Sequence, residues 1–297
     1  MRVVDLFCGI GGFSEGARQA GHQVVMAIDS DEGALATHRA NHPDCNHVLA
    51  TLPGGLPPLP RDAHWHASPP CQAVSQANRR VRQEQREDAI SLVEWFLSLV
   101  ESRRPKSWSM EQAATPVTIR ILEKRRERVP ELFEYAVVNF AHYGVPQDRR
   151  RLIAGTPSLV KRFVQRVSPP RAVADVMESL PSRFIMNSTT NTPCAGGFRR
   201  LRPEEHMRNV ERPSYTVLAC NPLKWAGEDG TVVRKLTEEE AALLQMFPST
   251  YCLGSGSATS RRRGVGNAIP PEVARRIMET RCRPPRSRAR QKRGAGR

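Results

Sequence analysis

No apolar run in the 297 residues approaches the roughly 20 that a membrane-spanning helix needs. The seven cysteines are scattered and form no Cys-x-x-Cys pair. Neither a disulfide framework nor a zinc ribbon is therefore expected, and a reducing cytosol is the expected setting. No apolar leader core precedes the strand-like Val3–Phe7, and no internal repeat is visible. Acidic residues are in short supply, 30 against 45 lysines and arginines, for a net charge of +15. An apolar content of 39% is too high for a disordered chain and sufficient for one large domain, or a large and a small one.

The positive charge is unevenly placed. Arg281, Arg283, Arg286, Arg288, Arg290, Lys292, Arg293 and Arg297 hold eight of the fifteen net charges, and no acid interrupts them. A tail so rich in Arg, Pro and Gly has too little apolar surface to fold. A basic body followed by a basic tail points to a polyanion, most simply nucleic acid.

The first thirty residues carry a recognisable unit. Val3–Phe7 reads as a buried strand and Cys8-Gly9-Ile10-Gly11-Gly12 as a glycine-rich turn. Phe13–Ala20 has helical composition closed by Gly21, and His22–Ile28 is a second strand ending at Asp29. Strand, glycine turn, helix, strand and acid predict a βαβ unit of an α/β sheet. Further along, Ala34–Asn41 and Ala89–Glu101 predict helices. Ala63–Ala67, Trp108–Met110, Leu132–Phe140 and Arg151–Ala154 predict strands. Between Thr156 and Val232 the pattern weakens into polar turns among arginines. It returns as a helix over Leu236–Phe247, where Thr237 and Glu240 predict a capping box, and as a last helix, Glu272–Thr280, after Pro270-Pro271.

Three features carry chemistry. The glycines let a ligand approach the backbone, and Asp29 is placed to accept hydrogen bonds from a ribose. Because Gly9-x-Gly11-Gly12 is not the dinucleotide Gly-x-Gly-x-x-Gly pattern, this indicates only a nucleotide or nucleoside cofactor. Cys71 follows two prolines that fix a rigid approach, and its thiol becomes a nucleophile if its pKa is lowered. His64-x-His66 upstream of Cys71 invites a metal reading, but a zinc deaminase needs an acid and a second thiolate. Ser68 and Val74 occupy those places, so no metal is expected. Glu111, Arg149 and Arg151 supply a carboxyl group and fixed guanidiniums that a thiol-centred reaction can use.

Taken in order, Asp5–Phe13, Pro69-Pro70-Cys71-Gln72-Ala73-Val74-Ser75, Gln147-Asp148-Arg149-Arg150-Arg151, Leu236–Pro248 and Gly266-Asn267-Ala268-Ile269-Pro270-Pro271 resemble the motifs of the DNA (cytosine-5-)-methyltransferase family. The resemblance implies an α/β, Rossmann-like S-adenosylmethionine-dependent methyltransferase sheet with a small, irregular target-recognition domain. It implies a catalytic and cofactor-binding domain at 1–155, target recognition at 156–232, a return segment at 233–280 and a basic disordered tail at 281–297. Cys71 then corresponds to the nucleophile, Glu111 to the acid, and Arg151, supported by Arg149, to the group facing O2 of the base. Phe7, Gly9, Ile10, Gly11, Gly12, Asp29, Ser30, Pro70 and Asn267 are the expected cofactor contacts. Gln72, Ser75, Arg199, Arg200, Arg202 and Arg212 are the expected DNA contacts, with Arg208 a further candidate. Pro213–Val217 is expected to form a strand gripping the target backbone.

The partner implied is double-stranded DNA, with base flipping. A monomer in the cytoplasm of a bacterium, or of a virus-infected host cell, is expected, alongside a separately acting restriction endonuclease. Four positions depart from the family pattern: Ser30, Val74, Gln112 and Glu239. The family's Gly-Asp-Ile is not recognisable near Leu49–Leu52. Alternatives are the tRNA-methylating branch, whose Cys-Phe-Thr signature is absent here, and a non-catalytic DNA-binding relative.

Overall fold

The computed structural model describes residues 1–70, 83–187 and 206–279, together with the backbone of 191–194 and 197–200. Cys71, Gln72, Ser75, Arg202 and the tail from 281 onward lie outside the described residues, as do the side chains of Arg199 and Arg200.

The N-terminal expectation holds closely: β1 (Arg2–Leu6), α1 (Gly12–Gln19) and β2 (Gln23–Asp29), with Gly21 left-handed at the helix end. Then come α2 (Glu32–Asn41), β3 (Asn46–Leu49), β4 (His64–Ala67), α3 (Gln83–Arg103), β5 (Ser107–Gln112), α4 (Pro116–Arg128), β6 (Glu134–Asn139), β7 (Arg150–Gly155) and α5 (Pro157–Val164). The seven strands form one sheet in the order β3-β2-β1-β4-β5-β7-β6. The pairs β1–β2, β1–β4, β2–β3 and β4–β5 are parallel, and β7 runs against both β5 and β6. Strand order reverses direction at β1, so a crevice opens beyond the carboxyl ends of β1 and β4.

Alternation along β1 divides the core. Val3 faces Phe13, Ala17, Phe140, Phe163, Val273 and Ile277, whereas Val4 and Leu6 face Trp65, Phe96, Leu97, Trp108 and Leu122. Helix α5 packs in the first of these clusters through Leu159, Val160 and Phe163, although it falls within the range 156–232 set apart from the sequence.

A smaller antiparallel sheet follows, ordered β11-β8-β12-β13, from β8 (Phe184–Met186), β11 (Met207–Asn209), β12 (Lys224–Ala226) and β13 (Val232–Lys235). A hairpin of β9 (Asn191–Cys194) and β10 (Gly197–Arg200) precedes β11. The chain returns through α6 (Glu238–Leu244), α7 (Ala258–Asn267) and α8 (Pro271–Met278), the last packed on α1. At α6 the Thr237–Glu240 capping box is formed, and Glu240 also accepts from Trp225 and pairs with Arg234. Among the described residues no helix is long and apolar enough to cross a membrane.

Candidate cofactor and catalytic site

At the carboxyl end of β1 the chain turns through two left-handed residues, Phe7 (φ 58°) and Gly9 (φ 53°), before Gly11 (φ 97°) caps α1. The Phe7 conformation is strained for a residue with a side chain, and such strain collects at ligand sites. The glycines divide their work. A Cβ on Gly9 meets nothing, so that face is open to a ligand. On Gly11 it meets the Tyr251 hydroxyl and the His38 ring, and on Gly12 it collides with the Ile269 carbonyl. Those two positions are glycine because the protein itself closes on them.

The turn opens into a cavity of about 660 Å3, within the size range of cofactor sites. Phe7, Gly9, Ile10, Gly12, Asp29, Ser30, Pro70 and Asn267 line it, as do Asp5 and Glu111. Gly11 faces the protein instead. Asp29 is fixed at the end of β2: Oδ2 accepts from Gly9 N at 2.8 Å and Oδ1 from Asp31 N at 2.9 Å, leaving a lone pair on each oxygen for a ligand. Asp5 is 1% exposed, and Oδ2 accepts from Ser14 Oγ at 2.7 Å. Its Oδ1 has no hydrogen-bond partner among the described residues. Burial drives the Asp5 carboxyl up to about 7.

Glu111 sits near the end of β5, buried, with Oε1 at 3.1 Å from Nε of Arg151 on the neighbouring β7. The N–H is not aimed at the oxygen, so this is an ion pair in which Glu111 Oε1 accepts no hydrogen bond from any described residue. Gln112, next along, is fully buried; its Nε2 donates to Pro69 O at 3.2 Å and its Oε1 accepts from Ala113 N at 2.8 Å.

Several placements differ from expectation. Arg149 is 1% exposed and does not join Arg151 beside Glu111. Its guanidinium donates to the carbonyls of Val217 (3.1 Å), Gly266 (3.2 Å) and Ala268 (3.3 Å). Arg149 lies just before β7, where its side chain turns into the buried junction, whereas Arg151, within β7, pairs with Glu111. Gln147 and Gln245 extend the same junction. Gln147 Nε2 donates to Gln245 Oε1 at 2.7 Å, and Gln245 Nε2 to Val265 O at 2.7 Å.

Arg208 is likewise committed, ion-paired to Asp148 and stacked 4.0 Å over the Tyr215 ring, so it is not the free phosphate contact that the sequence suggests. Pro213–Val217 forms no strand beyond a single bridge between Ser214 and Gln147. Arg212 is exposed in the turn before it. His64 and His66 are fully buried and bridge Ser107, Ser109 and Ser68 at 2.8–2.9 Å, so they are core histidines. Burial lowers His64 to about 3 and pushes His66 well below its usual value.

One wall is absent from the sequence reading. Leu253–Gly256, Ser260, Arg261, Arg263 and Gly264, on α7 and the turn before it, complete the cavity. The only signal was Ser257, whose side chain caps α7 by accepting from Ser260 N at 3.2 Å.

Fold and site together define a class. An open α/β sheet presents a glycine turn and the fixed Asp29 carboxylate at its strand-order switch, and the Glu111 carboxyl, paired with Arg151, lines the same cavity: the arrangement of an α/β enzyme site.

The profile of C-5 cytosine-specific DNA methylases matches residues 1–156 and 182–282, and the chain belongs to that family of DNA cytosine-5 methyltransferases. It is 30% identical over 294 residues to the Type II methyltransferase M.HindV of Haemophilus influenzae, covering 93% of this chain and 94% of the relative. It is 32% identical over 360 residues to the Type II methyltransferase M.XorII of Xanthomonas oryzae pv. oryzae, covering 92% and 82%. The fold resembles a crystal structure from E. coli, described as a DNA modification methyltransferase encoded within a prophage. The TM-score there is 0.64 at 20% identity, covering 94% of this chain and 97% of the other. It also resembles S. pombe Dnmt2, with a TM-score of 0.63 at 15% identity, covering 94% and 97%.

Proposed function

We propose that the chain methylates C5 of cytosine in a short double-stranded DNA target, through a covalent bond from Cys71 to C6 of a flipped base. The observation that carries this reading is one cavity whose wall holds both Asp29 with the glycine turn and Glu111, whose Oε1 accepts no hydrogen bond from a described residue; Pro70, the residue before Cys71, lines it too. S-adenosylmethionine, when bound, supplies the methyl group as an electrophile.

The residues fit that cofactor. The Asp29 oxygens suit a ribose diol, the open face of Gly9 admits a ligand against the backbone, and the buried Asp5 Oδ1 suits a donor or a positive charge. Phe7, Ile10, Ser30 and Asn267, which line the same cavity, would enclose it.

Unactivated C5 of cytosine is a poor nucleophile. Addition of the Cys71 thiolate forms the S–C6 bond and shifts the C5=C6 electron pair toward C5. Glu111 contacts N3 and the exocyclic amine and stabilises the protonated adduct. Arg151 faces O2, where negative charge develops, and its pairing with Glu111 fixes both side chains. C5, made electron-rich, takes the methyl group; removal of the C5 proton by a base then expels the thiolate, breaking S–C6 and restoring the C5=C6 bond. Arg149 holds the junction rather than the base.

Target recognition is assigned to the β8–β13 region and the exposed Arg212, with Arg199, Arg200 and Arg202 as further contacts. The test is transfer of labelled methyl groups from S-adenosylmethionine to DNA, with bisulfite sequencing of the product. Incorporation by the intact protein and none by Cys71→Ala is expected. Full activity in Cys71→Ala, or transfer to tRNA in preference to duplex DNA, overturns the reading.

A further inference from the structure

Histidine and cysteine are scarce in this chain, eight and seven residues, yet His38, His42, Cys45 and His47 fall within ten positions. His38 lies in the last turn of α2, and Cys45 and His47 flank the first residue of β3, two apart and so on one face of the strand. The fold brings His38, Cys45 and His47 together, with one donor atom from each all within 4.8 Å of one another. His38 Nδ1 and His47 Nε2 face each other at 2.8 Å.

We propose that His38 Nδ1, Cys45 Sγ and His47 Nε2 form a binding site for zinc(II), with water in the fourth position. The proposal is independent of the methyl-transfer reading. Its donor set, two imidazoles and a thiolate, is one that zinc prefers.

The surroundings hold His38 in the form a ligand needs. Its far nitrogen, Nε2, lies 2.9 Å from Ser14 Oγ, and Ser14 Oγ donates to Asp5 Oδ2 at 2.7 Å. With the hydroxyl proton given to Asp5, Ser14 accepts from His38 Nε2–H. The Nδ1 lone pair is then the one turned toward His47 and Cys45. A ligating histidine is commonly oriented in this way, its second nitrogen donating into a chain that ends on a carboxylate.

Burial keeps His38 neutral, with the neighbouring His42 and His47 acting in the same direction. His42 itself turns Nε2 to the Tyr251 hydroxyl at 3.4 Å and is not a ligand. Cys45 is buried and its thiol is raised to about 12, so it is protonated when the site is empty. On binding, the S–H bond breaks, the S–Zn bond forms and the proton leaves to water. At zinc–nitrogen bonds near 2.0 Å in a tetrahedron, the two nitrogens sit about 3.3 Å apart. The site therefore opens by roughly half an ångström from the observed 2.8 Å. His47 is only half-buried and gives the ion its way in.

The placement gives the site a purpose. Asp31 caps α2 and lines the cofactor cavity, and the Gly11 turn closes on the His38 ring. An ion joining the end of α2 to β3 fixes the floor of the cavity from behind.

The test uses the full chain, stripped with chelator and titrated with cobalt(II) as a spectroscopic substitute. One equivalent is expected to give a thiolate-to-cobalt charge-transfer band with tetrahedral d–d bands, displaced by zinc. Cys45→Ser should abolish the charge-transfer band even though the exposed Cys220 and Cys252 remain in that variant, so that adventitious binding at those thiols would instead leave a band behind. Because Cys45 is buried and its replacement could perturb folding, His47→Ala, at a half-buried position, is the second variant. Zinc should raise the Tm of the parent, and His47→Ala should remove that rise and weaken zinc binding at least about tenfold. Absence of a charge-transfer band at stoichiometric cobalt, or zinc affinity unchanged by both substitutions, overturns the proposal.

Discussion

The amide of Gln112 donates to the carbonyl of Pro69 at 3.2 Å, tying the end of β5 to the segment that runs into Cys71. Glu111 and Gln112 are adjacent, so one strand end serves both the acid at the cavity wall and the approach to Cys71, the proposed nucleophile. In Gln112→Leu the Pro69 carbonyl loses its donor and the Cys71 segment its anchor. The methyl-transfer rate is expected to fall at least about tenfold while cofactor affinity stays nearly constant. Single-turnover kinetics and calorimetry with S-adenosylmethionine separate the two. A fall in affinity with unchanged turnover contradicts this role.

Arg149 and Arg151 are two residues apart and are expected to fail differently. Arg149→Ala removes the donor to three carbonyls at the buried junction, at a cost of about 3 kcal/mol or more in stability. Arg151→Ala removes the partner of Glu111 at a position with 16% side-chain exposure, so activity should collapse with a much smaller change in stability. Urea denaturation and methyl transfer measured on both variants decide the matter. Equal stability losses would erase the distinction.

This pair also shows how far the sequence could be read. The βαβ start and the α6 capping box are legible because their signals are local: strand pattern, glycine, acid, and Thr237 three residues before Glu240. The motif Gln147–Arg151 is legible as a motif, but the roles within it depend on partners about 70 and 120 residues away. Short β3 and the Arg-rich α7 were missed because their hydrophobic pattern is poor. They are held by neighbours, β3 by pairing with β2 and α7 by the junction at Val265 and Gly266. Helix α4 did carry a signal, Thr115 as cap with Pro116 in the first turn, but its charged body hid the apolar face. Reversal of β7 and the convergence of His38, Cys45 and His47 are tertiary outcomes with no local signature.

Stability should fall on acidification below pH 6.5. His38, His42 and His64 are lowered to about 2, 4 and 3, and His47 and His66 are lowered as well, burial being the main cause in each. Each contributes stability that is present above the unfolded value near 6.5 and is lost as pH falls toward its folded value. Asp5, raised to about 7, works the other way: its contribution is full below about 3.8 and is lost as pH rises through 7. Several histidines outweigh one carboxyl, so unfolding takes up protons between pH 6.5 and 4, at roughly 1.4 kcal/mol per pH unit for each net proton. Urea midpoints across that range should decline steadily; a flat or rising profile contradicts the assignment.

Gly9 and Gly12 lie three residues apart in the same turn and predict opposite phenotypes. A methyl group on Gly12 collides with the Ile269 carbonyl and presses on Ala268. Because Ile269 belongs to the segment between Asn267 and α8, Gly12→Ala must push that segment away from α1. It should cost about 1–3 kcal/mol of stability, with cofactor affinity reduced as a consequence. A methyl group on Gly9 meets no atom and points into open space. Gly9→Ala carries only the cost of a left-handed alanine, about 1–2 kcal/mol, and any larger effect must come from a clash with the ligand. Gly9→Val should therefore lower affinity for S-adenosylmethionine well beyond its loss of stability, whereas for Gly12→Ala the two losses should track each other. Calorimetric affinity plotted against denaturation free energy distinguishes the cases. If Gly9→Val binds the cofactor as tightly as the parent, the open face of that turn is not where the ligand lies.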